Sequence, residues 1–155
     1  MSVFDTVKAA PPVEGFQLGR EFQSDPSPYK VSLGVGAYRT DQGKPWILPV
    51  VKKAEIILAG EVEEEKINHE YLPVLGLESF TSAATKMLLG EDSPALAEGR
   101  TCGVQSLSGT GALRVGGEFL KRILGYETVY ISNPSWGNHK LLFKNADYAN
   151  IRAYR

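Results

Sequence analysis

A chain of 155 residues, 43% hydrophobic and 23% charged, has the composition of an ordinary soluble globular protein and enough length to enclose a core. Its 17 basic and 18 acidic side chains leave a net charge of -1, with the basic ones scattered, which excludes the electrostatic footprint of a nucleic-acid binder. The single cysteine, Cys102, excludes an intrachain disulfide and suits a reducing compartment.

The N-terminal MSVFDTVKAAPP lacks an apolar signal core and the arginines of a transit peptide, and it carries Asp5, so a cytosolic location is expected. The longest apolar candidate for a membrane span, Ile56-Ile57-Leu58-Ala59, falls far short of the roughly 20 residues required. Residues 1–30 are expected to be irregular, because Pro11, Pro12, Pro26 and Pro28 oppose a long helix or a central strand. Val31 to Val35 reads as a short strand ending in Gly34-Val35-Gly36, and Asp41-Gln42-Gly43 as a turn. Pro49 opens a helix with Val50, Val51, Ala54, Ile57 and Leu58 on one face and Gly60 placed to cap it. The run Glu61 to Lys66 is a solvated surface segment.

A second helix is predicted over Ser79 to Leu89, stopped by Gly90. A third, short one starts at Asp92-Ser93-Pro94 and stops at Gly99. Then come a strand over 101–107, a helix over 111–124, a strand over 128–133, a helix over 138–145 and a strand over 151–154. The order β-α-β-α-β predicts an α/β fold with a mostly parallel sheet. Cys102, inside the first of these strands, is expected to be a buried, inert thiol. The more irregular first part reads as a separate arm or small-domain segment. The final IRAYR stops inside an apparent strand, and three parallel strands with open edges make a poor end point, so the chain reads as truncated.

The stretch Gln105 to Arg114, QSLSGTGALR, carries the most chemistry. It reads as a strand end, a glycine-relaxed turn and a helix N-terminus. Backbone N–H groups at a helix start are unpaired and lie at the positive end of the macrodipole, so they favour an anion. Ser108 and Thr110 add hydroxyl donors, while Gly109 and Gly111 let a phosphate approach the backbone. Two known phosphate patterns fail here. No Lys follows the glycines as GxxxxGK[ST] requires, and Arg114 stands where GxGxxG needs glycine. The plain alternative, that both glycines only shape a tight turn, remains open on these residues alone.

Four segments in order resemble the aspartate aminotransferases of fold type I, which use pyridoxal 5′-phosphate. They are VSLGVGAYRTDQGKPWILPVV (31–51), INHEYLPVLGLESF (67–80), QSLSGTGALR (105–114) and VYISNPSWGNHK (129–140). The segment AAPPVEGF is similar to the cytosolic branch. The resemblance implies residues 1–48 as an N-terminal arm and small-domain segment, and residues 49–155 as the first, incomplete part of the cofactor-binding large domain. It implies that Ser108, Gly109 and Thr110 hold the cofactor phosphate. Trp136 would stack on the pyridine ring and contact substrate, although by itself it reads as a core residue. Gly36 would leave room for the amino-acid substrate, where the bland reading is a turn at a strand end. Tyr71 would reach across a homodimer interface to the partner subunit's cofactor phosphate; by itself it is a half-buried aromatic near Pro73. His139 would sit behind the cofactor and help orient the acid that binds the pyridine nitrogen, and His69 is structural.

The family also needs a Schiff-base lysine, an aspartate for the pyridinium nitrogen, and arginines that grip both substrate carboxylates. The resemblance places all of these beyond residue 155. Lys52, Lys53, Lys121, Lys140 and Lys144 fall on predicted helices outside the family's lysine context. No catalytic residue and no metal site is assigned. The activity implied is amino-group transfer between L-aspartate and 2-oxoglutarate, with this chain inactive alone. A non-catalytic short product that binds phosphate or pairs with full-length subunits is the alternative.

Overall fold

A computed structural model describes residues 2–34 and 36–155, which divide into two compact units between His69 and Glu70. In the first, helix α1 (Glu14–Ser24) occupies the proline-free window between Pro12 and Pro26. The expectation of an irregular start fails there, because the prolines bound a helix without entering it. Lys30 finishes it: its Nζ donates to the carbonyls of Phe22 and Asp25, both at 2.6 Å, and lies 4.6 Å from the Phe22 ring centre. A cation on terminal carbonyls satisfies groups that the helix leaves unpaired.

The expected strand at Val31 is absent over Val31 to Gly34, and Val35 lies outside the described residues. The Asp41-Gln42-Gly43 turn is present. It is closed by an Arg39–Pro45 antiparallel bridge, by the Trp46 N–H donating to Tyr38 O, and by Tyr38 and Trp46 rings 5.2 Å apart. Helix α2 (Pro49–Glu63) starts at its proline but runs through Gly60 into the acidic segment. One interior glycine costs only about 1 kcal/mol, and the glutamates after it are good helix formers.

The second unit opens with α3 (Glu78–Leu89), capped by Gly90 at φ 84°, and the single turn α4 (Pro94–Ala97) behind Ser93. Residues 101–107 form no ladder with any described strand, which corrects the first of the predicted strands. A strand requires a neighbour; this segment is instead held by isolated bonds to residues 75–77. The Gln105 N–H donates to Leu75 O at 2.9 Å, and Gln105 Oε1 accepts from the Leu77 N–H at 2.8 Å. Gly76 makes that approach possible. Its φ is +90°, and a Cβ there would fall 2.1 Å from Gln105 Cβ. Left without a sheet around it, Cys102 is exposed, contrary to expectation.

Helix α5 (Ser108–Glu118) begins three residues earlier than predicted and passes into a π-type turn, Phe119–Ile123. Strand β1 (Thr128–Ser132), helix α6 (Gly137–Asn145) and strand β2 (Asn150–Tyr154) form a parallel β-α-β unit, with Thr128 opposite Asn150 and Ser132 opposite Tyr154. Among the described residues the parallel sheet therefore has two strands rather than three. The buried apolar side chains among the described residues are Leu142, Ala146 and Tyr148. They lie where α6 meets α5: Tyr148 donates its hydroxyl to Gly117 O at 3.0 Å and packs edge-on to Phe143 at 5.1 Å. A Cβ on Gly117 would stand 3.3 Å from the Phe143 ring, so the missing side chain sets how closely the helices approach. No helix among the described residues is long and apolar enough to cross a membrane.

Candidate functional site

The first hydrogen bond of α5 runs from the Gly111 N–H to Leu107 O at 3.0 Å. The N–H groups of Ser108, Gly109 and Thr110 precede it, so none has a partner within the helix. Leu107, at the N-cap, supplies no side-chain cap. Ser108 has φ +61°, a left-handed conformation that costs a residue with a Cβ about 1–2 kcal/mol. Such outliers gather at ligand clamps. Gly109 is open, since a Cβ there would meet nothing within 4 Å; at Gly111 a Cβ would crowd Leu107 Cβ at 3.3 Å. Thus Gly109 leaves space beside the helix end, and Gly111 permits the turn. Three free N–H donors, two hydroxyls and the positive end of an 11-residue helix fit a phosphate group.

Across from the cup stands the start of α6. Trp136 is its N-cap, four residues beyond the carboxyl end of β1, where ligands of open parallel sheets bind. The residue is 55% exposed and so available to a flat ring. His139 packs edge-on against it, with ring centres 5.6 Å apart, and His139 Nδ1 shares a 2.8 Å hydrogen bond with Ser135 Oγ. Asn138 Nδ2 donates to Thr110 Oγ1 at 3.3 Å, which joins the two helix starts. A cavity of about 350 Å³ opens beside Trp136, lined among others by Ser132, Lys140, Ile151 and Arg152. Ser108 to Thr110 lie outside that lining, so cup and cavity are neighbours by way of α6 rather than one pocket.

Trp136 and His139 thus lie in the first turn of α6, which the Asn138–Thr110 bond ties to the turn at Ser108, Gly109 and Thr110. Tyr71 is fully exposed, and Gly36 lies in the first unit, where a Cβ would meet nothing within 4 Å. Ser135 and Asn138 were missed at the sequence level. Their only signal was a cluster of small polar residues around Trp136. Farther along α5, Glu118 pairs with Arg114 and Arg122, one turn to either side. The hydrogen bond from Arg122, aided by both guanidinium charges, holds its carboxyl below the usual carboxylate range against a smaller opposing effect of burial. No group of three His, Cys, Asp or Glu among the described residues could hold a metal ion.

Residues 28–155 match the family model described as aminotransferase class I and II. The cytoplasmic aspartate aminotransferase of Caenorhabditis elegans is 51% identical over 154 residues, covering 99% of this chain and 37% of that protein. The structure of the cytoplasmic aspartate aminotransferase from Giardia lamblia superposes with a TM-score of 0.86 at 41% identity, over 99% of this chain and 36% of the other. An aromatic-amino-acid aminotransferase from Burkholderia pseudomallei, covalently bound to pyridoxal phosphate, gives 0.85 at 40% identity, over 99% and 37%. This chain therefore spans little more than a third of the length of these relatives.

Proposed function

The chain belongs to the class I and II aminotransferase family, and from that premise we propose that it forms part of a cytosolic aspartate aminotransferase. The reaction is exchange of an amino group between L-aspartate and 2-oxoglutarate, giving oxaloacetate and L-glutamate. Similarity at 51% identity through 99% of the chain to an enzyme of that name carries the reading.

In this proposal the N–H groups and hydroxyls at Ser108, Gly109 and Thr110 hold the phosphate of pyridoxal 5′-phosphate. When bound, that cofactor supplies the electron sink for breaking the substrate's Cα–H bond. Trp136 covers one face of the cofactor ring, excludes water there and contacts the substrate. His139, braced by Ser135 and by the Trp136 edge, stands behind the ring and orients the acid at its nitrogen. Gly36 leaves space for the amino-acid backbone. The exposed Tyr71 donates its hydroxyl to the phosphate of the partner subunit in a homodimer, for which its full exposure leaves it free. Residues 1–48 belong with the arm and small domain, and residues 49–155 with the cofactor-binding domain. The covalent attachment of the cofactor and the grip on both substrate carboxylates come from groups outside these 155 residues.

The test is an assay of the natural protein, saturated with pyridoxal 5′-phosphate, for oxaloacetate formation from L-aspartate and 2-oxoglutarate. The 155-residue chain by itself is expected to show no turnover. Absence of transamination in the natural protein would overturn the proposal.

A further inference from the structure

We propose that Asn138 is a positioning residue that fixes the direction of the Thr110 hydroxyl, so that its proton points into the phosphate cup. The inference rests on the reading of Ser108 to Thr110 as that cup. A threonine hydroxyl has one proton to donate and lone pairs with which to accept. In the first turn of a helix, the same hydroxyl can turn its proton back to a preceding backbone carbonyl. It would then present lone pairs to the anion and repel it.

The Asn138 amide narrows that choice. Its Nδ2 donates to Thr110 Oγ1 at 3.3 Å and occupies one of the two acceptor positions, so the Thr110 proton points away from Asn138 and one fewer lone pair faces the anion. The bond spans 28 residues of sequence and connects the first turns of α5 and α6. Because Asn138 sits two residues after Trp136, the bond also fixes the indole relative to the cup. A ligand with a flat ring and a phosphate needs both distances held at once.

The experiment uses the natural protein freed of cofactor. It measures dissociation constants for pyridoxal 5′-phosphate, for pyridoxal, which has the ring without the phosphate, and for inorganic phosphate. Asn138→Ala is expected to weaken pyridoxal 5′-phosphate and inorganic phosphate by about five-fold, the size of one net hydrogen bond, and to leave pyridoxal unchanged. Asn138→Asp, nearly the same shape, is expected to do more harm, because a carboxylate only accepts and draws the Thr110 proton away. In a Thr110→Ala background Asn138→Ala should add nothing, whereas in a Thr110→Ser background its effect should persist. Equal losses for pyridoxal and its phosphate, or an undiminished effect in Thr110→Ala, would overturn the positioning role alone. A wild-type protein that binds the phosphate ester no better than pyridoxal would remove the cup itself.

Discussion

The two units differ in how they use their helices. In residues 2–69, α1 and α2 carry apolar faces, yet no side chain among the described residues there is buried. In residues 70–155, α5 and α6 are no more apolar, but a short β-α-β connection returns the chain so that Leu142, Ala146 and Tyr148 close against Gly117. Amphipathic spacing makes a helix; within these 155 residues, little more than a third of the relatives' length, a core forms only where the connection supplies a second surface. The candidate site occupies the first turns of the same two helices that share this core. A ligand that must touch two elements gains from having both fixed to each other.

Disturbing what positions the cup in the second unit should have the strongest consequence. Gly76→Ala would force a Cβ into Gln105 at a left-handed backbone position, and should destabilise the natural protein by about 2–4 kcal/mol in denaturant unfolding. A loss below about 0.5 kcal/mol would show that the 105 segment is not anchored there. Next, Tyr148→Phe leaves the Gly117 carbonyl without its hydroxyl donor and should cost about 1–2 kcal/mol in the same measurement.

Substitutions in the cup should instead spare stability and weaken retention. Ser108→Ala and Thr110→Ala are each expected to release pyridoxal 5′-phosphate about ten-fold more readily in equilibrium dialysis, since each removes a donor to a charged group. Unchanged retention in both would take the cup out of the account. The smallest effect belongs to Glu118→Gln. The native carboxyl titrates below its usual range, so its contribution is present above the unfolded pKa and disappears as pH falls through the folded one. Melting curves of the variant and the parent should differ slightly at pH 7 and coincide in acid; a gap that widens in acid would reverse that sign.

What the sequence revealed was local. Pro49, Gly90 and the Ser93-Pro94 pair marked helix ends correctly, and the β1-α6-β2 order was legible because each element carries its own period and punctuation. The failures have both long-range and local causes. Residues 101–107 have strand-like composition, but a ladder depends on a partner that composition does not reveal, and the exposure of Cys102 follows from the missing ladder. Helix α1 was hidden by prolines that flank it and by a cap from Lys30, six residues past its end. Within the site, the donor types at Ser108 to Thr110 could be read directly. The link from Thr110 to Asn138 could not, since it joins residues 28 apart.

The most direct measurement is a crystal structure of the natural protein with pyridoxal 5′-phosphate. The phosphate is expected at the N-terminus of α5, within hydrogen-bond reach of the Gly109 and Thr110 N–H groups and of the Ser108 and Thr110 hydroxyls, with the ring against Trp136. A phosphate held elsewhere, with that helix end facing solvent, would contradict it.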